Sequence, residues 1–348
     1  MVELSLQRKT EQMSIDGSNN NNEEPNASLV APESIADGNP HQSANPSTSV
    51  VETPSSTLEP KPRLWTVFLT TLTATLSYLG ISLASLFIAV VVVAALSAQD
   101  STKRAPDETL NLIFSHPASI FYLLIPGHVA LLGIAIFAAV LSPTPFAARL
   151  SLNRPAWPWW ATVAAVLTAP FFSFLWSMVI SNFVEPNAYL EIMETMFRST
   201  TENFGFGATL LCIAVMPAFS EEWLFRGYVQ TRLAQRWTPW LAILVSSILF
   251  AVFHLDPVHV LAVFPMGLWL GFISWRCGSI IPAMLAHTYN NALSLIGVVY
   301  DQSDSLDASL SSFANQATVF LGVPGLLVIF SYLITSRSPS QTTTIGRD

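Results

Sequence analysis

Charge is what this chain has least of. Charged residues fill 11% of its 348 positions and hydrophobic ones 51%, against about 25% charged in an ordinary soluble domain. So low a charge excludes a water-exposed globular body and points to an integral, multi-pass membrane protein. Cysteine is nearly absent too. Cys212 and Cys277 both lie in apolar stretches, which excludes a disulfide framework and any cysteine-based metal motif and leaves two small buried hydrophobes. A basic excess is lacking: the formal net charge is −8, and residues 1–64 alone hold nine acids and four bases, so nothing speaks for nucleic-acid binding. The first apolar run begins only at Trp65, too late for a cleavable signal peptide. No repeat relates the two halves, which weighs against an inverted-repeat transporter.

What is present is a polar tail followed by apolar runs. Residues 1–62 are rich in Ser, Asn, Pro and acids and carry too little apolar surface to fold, so a disordered tail is expected. Asn26-Ala27-Ser28 matches a glycosylation sequon that the tail's expected cytoplasmic location makes idle. From Trp65 on, eight apolar segments read as membrane helices: about 65–97, 119–141, 158–183, 207–236, 239–254, 258–276, 279–300 and 317–336, scattered around the roughly 20 residues that span a bilayer. The expected architecture is an all-α polytopic membrane helix bundle over 63–337, of about eight transmembrane helices, with a short tail at 338–348. Lys61, Arg63, Arg149, Arg154, Arg232, Arg236, Arg276 and Arg337 fall in alternate loops, and Glu185, Glu191, Glu194, Asp301, Asp304 and Asp307 in the others. Basic residues mark the cytoplasmic side, so both termini are expected there; Lys103 and Arg104 are the exception.

Against this background Glu221-Glu222-Trp223-Leu224-Phe225-Arg226 stands out. A charge at bilayer depth costs roughly 2.5–3.5 kcal/mol on insertion scales, so such residues line a pathway or a reaction site. Glu222 and Arg226 are four apart with the acid first, the favourable order for a helical ion pair. Glu221 lies about 100° around the helix, free for another partner, and Pro217 one turn earlier removes a backbone hydrogen bond. Segments four and five are joined only by Trp237 to Pro239 and should form an antiparallel hairpin. Glu221 and His254 then lie about 16 residues, or 24 Å, from its turn. If the polar turns at Gln230, Arg232, Gln235 and Arg236 protrude by about 10 Å, both sit about 14 Å deep, level with His287 at about 13 Å. Asn291 shares a helix face with His287. Phe250, one turn before His254, is placed to pack over it. His128 has no partner in the sequence, and His116 and His259, near helix ends, are expected at the interface.

Glu-Glu-x-x-x-Arg at 221–226, Phe-x-x-x-His at 250–254 and His-x-x-x-Asn at 287–291 resemble, in order and spacing, the three motifs of the CAAX protease and bacteriocin-processing (CPBP) family of intramembrane proteases. The resemblance covers about residues 205–300. It implies that Glu221 with His254 activates a water molecule, that His287 and Asn291 stabilise the oxyanion, and that Glu222 and Arg226 support the site. Burial beside a second carboxylate suits Glu221 as a general base, and an imidazole and an amide suit an oxyanion. Glu221, His254 and His287 are also residue types that hold Zn²⁺ with one position open, so a metal-free and a zinc mechanism both stand here. The function implied is an endopeptidase that cuts near the cytoplasmic face, with C-terminal CaaX processing of prenylated proteins as one form of it. Its partners would be membrane lipids and a peptide or prenylated protein substrate. The competing readings are a non-proteolytic scaffold or immunity-type protein of the same fold, and a proton-coupled transporter. A lateral opening beside Glu221 favours the protease, a continuous two-sided cavity the transporter.

Overall fold

The computed structural model describes residues 63–99, 105–142, 144–184, 188–300 and 306–336. The polar tails at 1–62 and 338–348, the sequon, Lys61, Lys103, Arg104, Glu185, Asp301, Asp304 and Arg337 lie outside the described residues. No strand occurs among the described residues, and each of the eight apolar segments is helical. We label them α1 (Leu64–Gln99), α2 (Ser119–Val140, interrupted at Leu124), α3 (Trp159–Ile180), α4 (Phe206–Ala234), α5 (Pro239–Val252), α6 (Pro257–Cys277), α7 (Ile281–Tyr300) and α8 (Leu306–Thr335). Six of them, α1 to α4, α6 and α8, are long and apolar enough to cross a membrane. The other two differ for physical reasons: α5 has 14 residues, and α7 carries His287, Thr288, Asn290 and Asn291 along its middle.

The bundle is dressed for lipid. Large apolar side chains such as Phe87, Leu141, Trp159, Phe183 and Phe320 are exposed around it, while Glu221, Glu222 and Arg226 are buried inside. With no hydrophobic drive between helices in lipid, close packing falls to small residues. At Gly325 of α8 an added Cβ would lie 2.5 Å from Thr168 Oγ1 and 2.9 Å from the Ala164 carbonyl of α3.

Hydrogen bonds between loops and helices sort the loops into two ends. At one, Arg232 Nη1 donates to Thr66 Oγ1 at 3.2 Å, Thr231 Oγ1 to the Arg149 carbonyl at 3.4 Å, and Ile280 N to the Ser151 carbonyl at 3.0 Å. Arg63, Arg149, Arg154, Arg232, Arg236 and Arg276 therefore gather at that end. At the other, the region expected to be an acidic loop folds as a 17-residue amphipathic helix, Ala188–Phe204. Ser199 and Thr200 donate to the Ser115 and Pro117 carbonyls, and Arg198 to the Val299 carbonyl.

The hairpin of α4 and α5 departs from the expected arithmetic. Its polar turn is only partly open: Gln230 is buried and donates to the Gly271 carbonyl at 2.9 Å, and the Arg232 guanidinium lies 4.5 Å over the Tyr228 ring, while Gln235 and Arg236 are exposed. Protein, not water, meets Gln230 and Arg232. Nor is α4 uniform, since Leu211–Val215 and Trp223–Gln230 are π-helical on either side of the α-helical Met216–Glu222. Glu221 lies 13 residues before the end of α4 at Ala234, about 20 Å from the basic end at helical rise.

Gly325→Leu should weaken the α3–α8 contact by about 1–3 kcal/mol, the usual cost of overpacking. Thermal unfolding in detergent should show a lower midpoint than for Gly80→Leu, where a Cβ meets nothing within 4 Å. Equal midpoints would mean that α8 is not seated on α3 as described.

Candidate active site

The Glu222 carboxylate anchors the site. Its Oε1 accepts from Arg226 Nη1 at 2.8 Å, and both residues are fully buried. The four-residue spacing survives the π-helical stretch between them. Arg226 is held further by donation from Nη2 to the Gly267 carbonyl at 3.0 Å and by the Phe250 ring 4.2 Å beneath its guanidinium. A Cβ at position 267 would come within 3.1 Å of Phe250, so glycine permits this close approach of α6.

The same Oε1 lies 3.0 Å from His287 Nδ1, a link between α4 and α7 that the motifs do not announce. A carboxylate paired with Arg226 accepts only, so Nδ1 carries the proton and Nε2 is the remaining face of the imidazole. Nε2 lies 4.0 Å from Glu221 Oε2. That oxygen is buried and has no hydrogen-bond partner among the described residues.

His254 stands just past the end of α5. Its Nδ1 lies 3.0 Å from the Phe250 carbonyl; a carbonyl only accepts, so Nδ1 donates and Nε2 keeps its lone pair. Leu255 takes a left-handed conformation at φ 63°, a strain of roughly 1–3 kcal/mol of the sort that collects at functional sites. The reversal there starts α6 at once, with Asp256 Oδ1 capping it by accepting from His259 N at 2.8 Å. His259, expected at the interface, instead lies with its ring centroid 4.5 Å from that of His254. His116 is exposed, as expected.

On α7, Asn291 Nδ2 donates to the Ile213 carbonyl at 3.3 Å, and Asn290 Nδ2 donates to Asn291 Oδ1 at 3.2 Å. His128 of α2, which the sequence left without a partner, is buried with Nδ1 3.0 Å from Ser220 Oγ, next to Glu221, and meets Tyr78 edge-on at 5.1 Å between centroids.

Glu221, His254, His287 and Asn291 line one cavity of about 1130 Å³, together with His128, His259, Asn290, Tyr78 and Tyr189. Tyr78, Tyr189 and His259 went unread because no short spacing connects them to the motifs. Tyr189 in particular comes from the unforeseen amphipathic helix. Beyond the polar cluster the walls are largely apolar, including Leu79, Leu83, Leu123, Phe174 and Val298, with scattered hydroxyls such as Ser82, Ser173 and Ser177, and no lining residue comes from the loops with the basic residues. The cavity thus occupies the half of the bundle away from the basic end.

The zinc alternative needs Glu221, His254 and His287 to converge on one point. Among the described residues no three His, Cys, Asp or Glu side chains converge to hold a metal ion; the two histidines pair their Nδ1 atoms with Phe250 and Glu222, which leaves each Nε2 open to water or to a metal alike.

Because Glu222 serves two partners, Glu222→Gln and Arg226→Leu should each lower folded yield and thermal stability by about 3–5 kcal/mol, the cost of stranding one member of a buried pair. Combining them should restore part of the yield but not activity, since His287 stays unanchored. Parent-like expression and melting of both single variants would show that the pair is not buried.

Comparison with curated proteins and with solved structures returns no match. Comparison with family descriptions returns one: residues 203–293 match the type II CAAX prenyl endopeptidase, Rce1-like, family. That stretch holds both carboxylates, Arg226, both motif histidines and Asn291, so the motif-bearing quarter of this membrane protein is similar to the Rce1-like CAAX endopeptidase family.

Proposed function

We propose that this chain is an intramembrane endopeptidase in which Glu221 is the general base. One observation carries the reading: a buried carboxylate oxygen without a partner faces a cavity 4.0 Å from an imidazole nitrogen whose ring is fixed from behind. Glu221 takes a proton from a water molecule as the water oxygen attacks the peptide carbonyl carbon. His254, with its Nε2 lone pair free, helps to hold that water. Charge then builds on the former carbonyl oxygen, met by the second N–H of Asn291 and by Nε2–H of a His287 that enters the cycle already doubly protonated from solvent, its charge and that of Arg226 matched by Glu221 and Glu222. When the C–N bond breaks, the proton passes from Glu221 to the leaving amine, and the carboxylate is restored. Donors already fixed before the reaction are what make such stabilisation effective.

For substrate we propose a peptide bond close to an apolar anchor, of which a prenylated CaaX terminus is one form. The support is the apolar wall that continues from the polar cluster. The cavity wall stops short of the basic end, which favours a protease over a two-sided transporter. With the basic end cytoplasmic, the bond would be presented from within the bilayer.

Glu221→Gln keeps shape and removes the base, so the purified variant should fold and bind a fluorogenic prenylated CaaX peptide but not cleave it. His254→Ala should behave alike, and a chelator should leave the parent's rate unchanged. Cleavage by Glu221→Gln within about tenfold of the parent, only about 1.4 kcal/mol of barrier, would rule out this base. Equal cleavage of a non-prenylated control would narrow the substrate to the peptide alone.

A further inference from the structure

The hydrogen bonds around Asn291 have only one chemically consistent arrangement, and it assigns a role to its neighbour. Pro217 has no N–H, so the carbonyl four residues before it, that of Ile213, lacks its ordinary helical donor. Asn291 supplies one at 3.3 Å. A carbonyl can only accept, so the arm of the Asn291 amide facing Ile213 is Nδ2 and the other arm is Oδ1. That oxygen faces Asn290 at 3.2 Å, so the Asn290 arm is again the NH₂ group. Asn290 Oδ1 is left buried and unpartnered, and the residue lines the cavity. The chain of forced choices runs from a proline on α4 to two adjacent amides on α7.

We propose that Asn290 is a positioning residue: by donating to Asn291 Oδ1 it fixes the Asn291 amide so that one N–H meets Ile213 and the other remains for the reacting carbonyl oxygen. Without it, a single bond to Ile213 leaves the amide free to swing about its side-chain torsions. A loosened oxyanion donor lowers turnover more than binding, because the interaction matters most in the transition state. The kinetic part of the role rests on the peptidase reading of the same site; the coupling of the two amides does not.

The test is a double-mutant cycle in the full-length protein. Asn290→Ala should lower kcat about tenfold to a hundredfold, as small misplacements of catalytic groups do, with KM within about twofold of the parent. In an Asn291→Ala background the same change should cost nothing further, since its target is gone. Asn290→Asp keeps size but turns an acceptor toward an acceptor, so it should be at least as slow as Asn290→Ala. Equal losses in both backgrounds, no loss in the parent background, or a parent-like Asn290→Asp would each overturn the assignment. Thermal unfolding of the same four proteins supplies a readout that needs no turnover: the two alanine effects should fail to add, and additive effects would overturn the coupling. A peptidase reading that is wrong shows itself differently, as a parent no faster than Glu221→Gln, and leaves this thermal cycle still decisive.

Discussion

One carboxylate oxygen, Oε1 of Glu222, joins the parts of this site. It accepts from the guanidinium of its own helix and from an imidazole of another. An isolated ion in a low-dielectric interior would cost several kcal/mol. Two charge-assisted hydrogen bonds on one oxygen, with the guanidinium also bonded to Gly267 and lying over Phe250, offset that cost. The arrangement ties α4, α6 and α7 together. It also separates the roles of two adjacent glutamates. Glu222 is spent on structure, and Glu221, one residue before it and turned about 100°, presents an oxygen without a hydrogen-bond partner among the described residues.

The same economy governs the backbone. Pro217 costs α4 a hydrogen bond, the Asn291 side chain fills the place, and π-helical turns flank the one α-helical stretch that bears the glutamates. Insertions of this kind are found at functional sites because they re-aim side chains without ending the helix. Leu255 performs a related service in the chain reversal after α5. Its left-handed turn brings His259 back against His254 and lets Asp256 cap α6 in the same few residues.

Much of this was legible in the sequence, and the illegible part has a common cause. Apolar runs of bilayer length gave the helices, because lipid leaves no other way to satisfy a spanning backbone. A spacing of four gave the Glu222–Arg226 pair, because such neighbours share a helix face. Relations across helices carry no such spacing. The His287–Glu222 bond, His128 on Ser220, and Tyr189 in the cavity wall depend on which helices pack together, and short motifs do not encode that. The surroundings of the polar turn were illegible for another reason. Gln230 and Arg232 look like surface residues, but a polar side chain reports only that it has a partner, and here the partners are Gly271, Tyr228 and Thr66. The amphipathic helix Ala188–Phe204 was passed over because a search for apolar runs discards a segment with one polar face.

Phe250 shows why a motif can need a hydrocarbon side chain as firmly as a charged one. Its carbonyl takes the Nδ1 proton of His254, which works only for a histidine one helical turn further on and leaves Nε2 with its lone pair. Its ring meets His254 and His287 edge-on at 5.2 and 5.8 Å between centroids and supports the Arg226 guanidinium on its face. The quadrupole of the ring suits both contacts, with its negative face toward the cation. A leucine would keep the carbonyl and lose the platform. An alanine would also open space beside a buried ion pair, where water would weaken the attraction that holds Glu222, Arg226 and His287 together. The Phe-x-x-x-His spacing is therefore the point at which His254 and the ion-pair half of the site are made rigid with respect to each other.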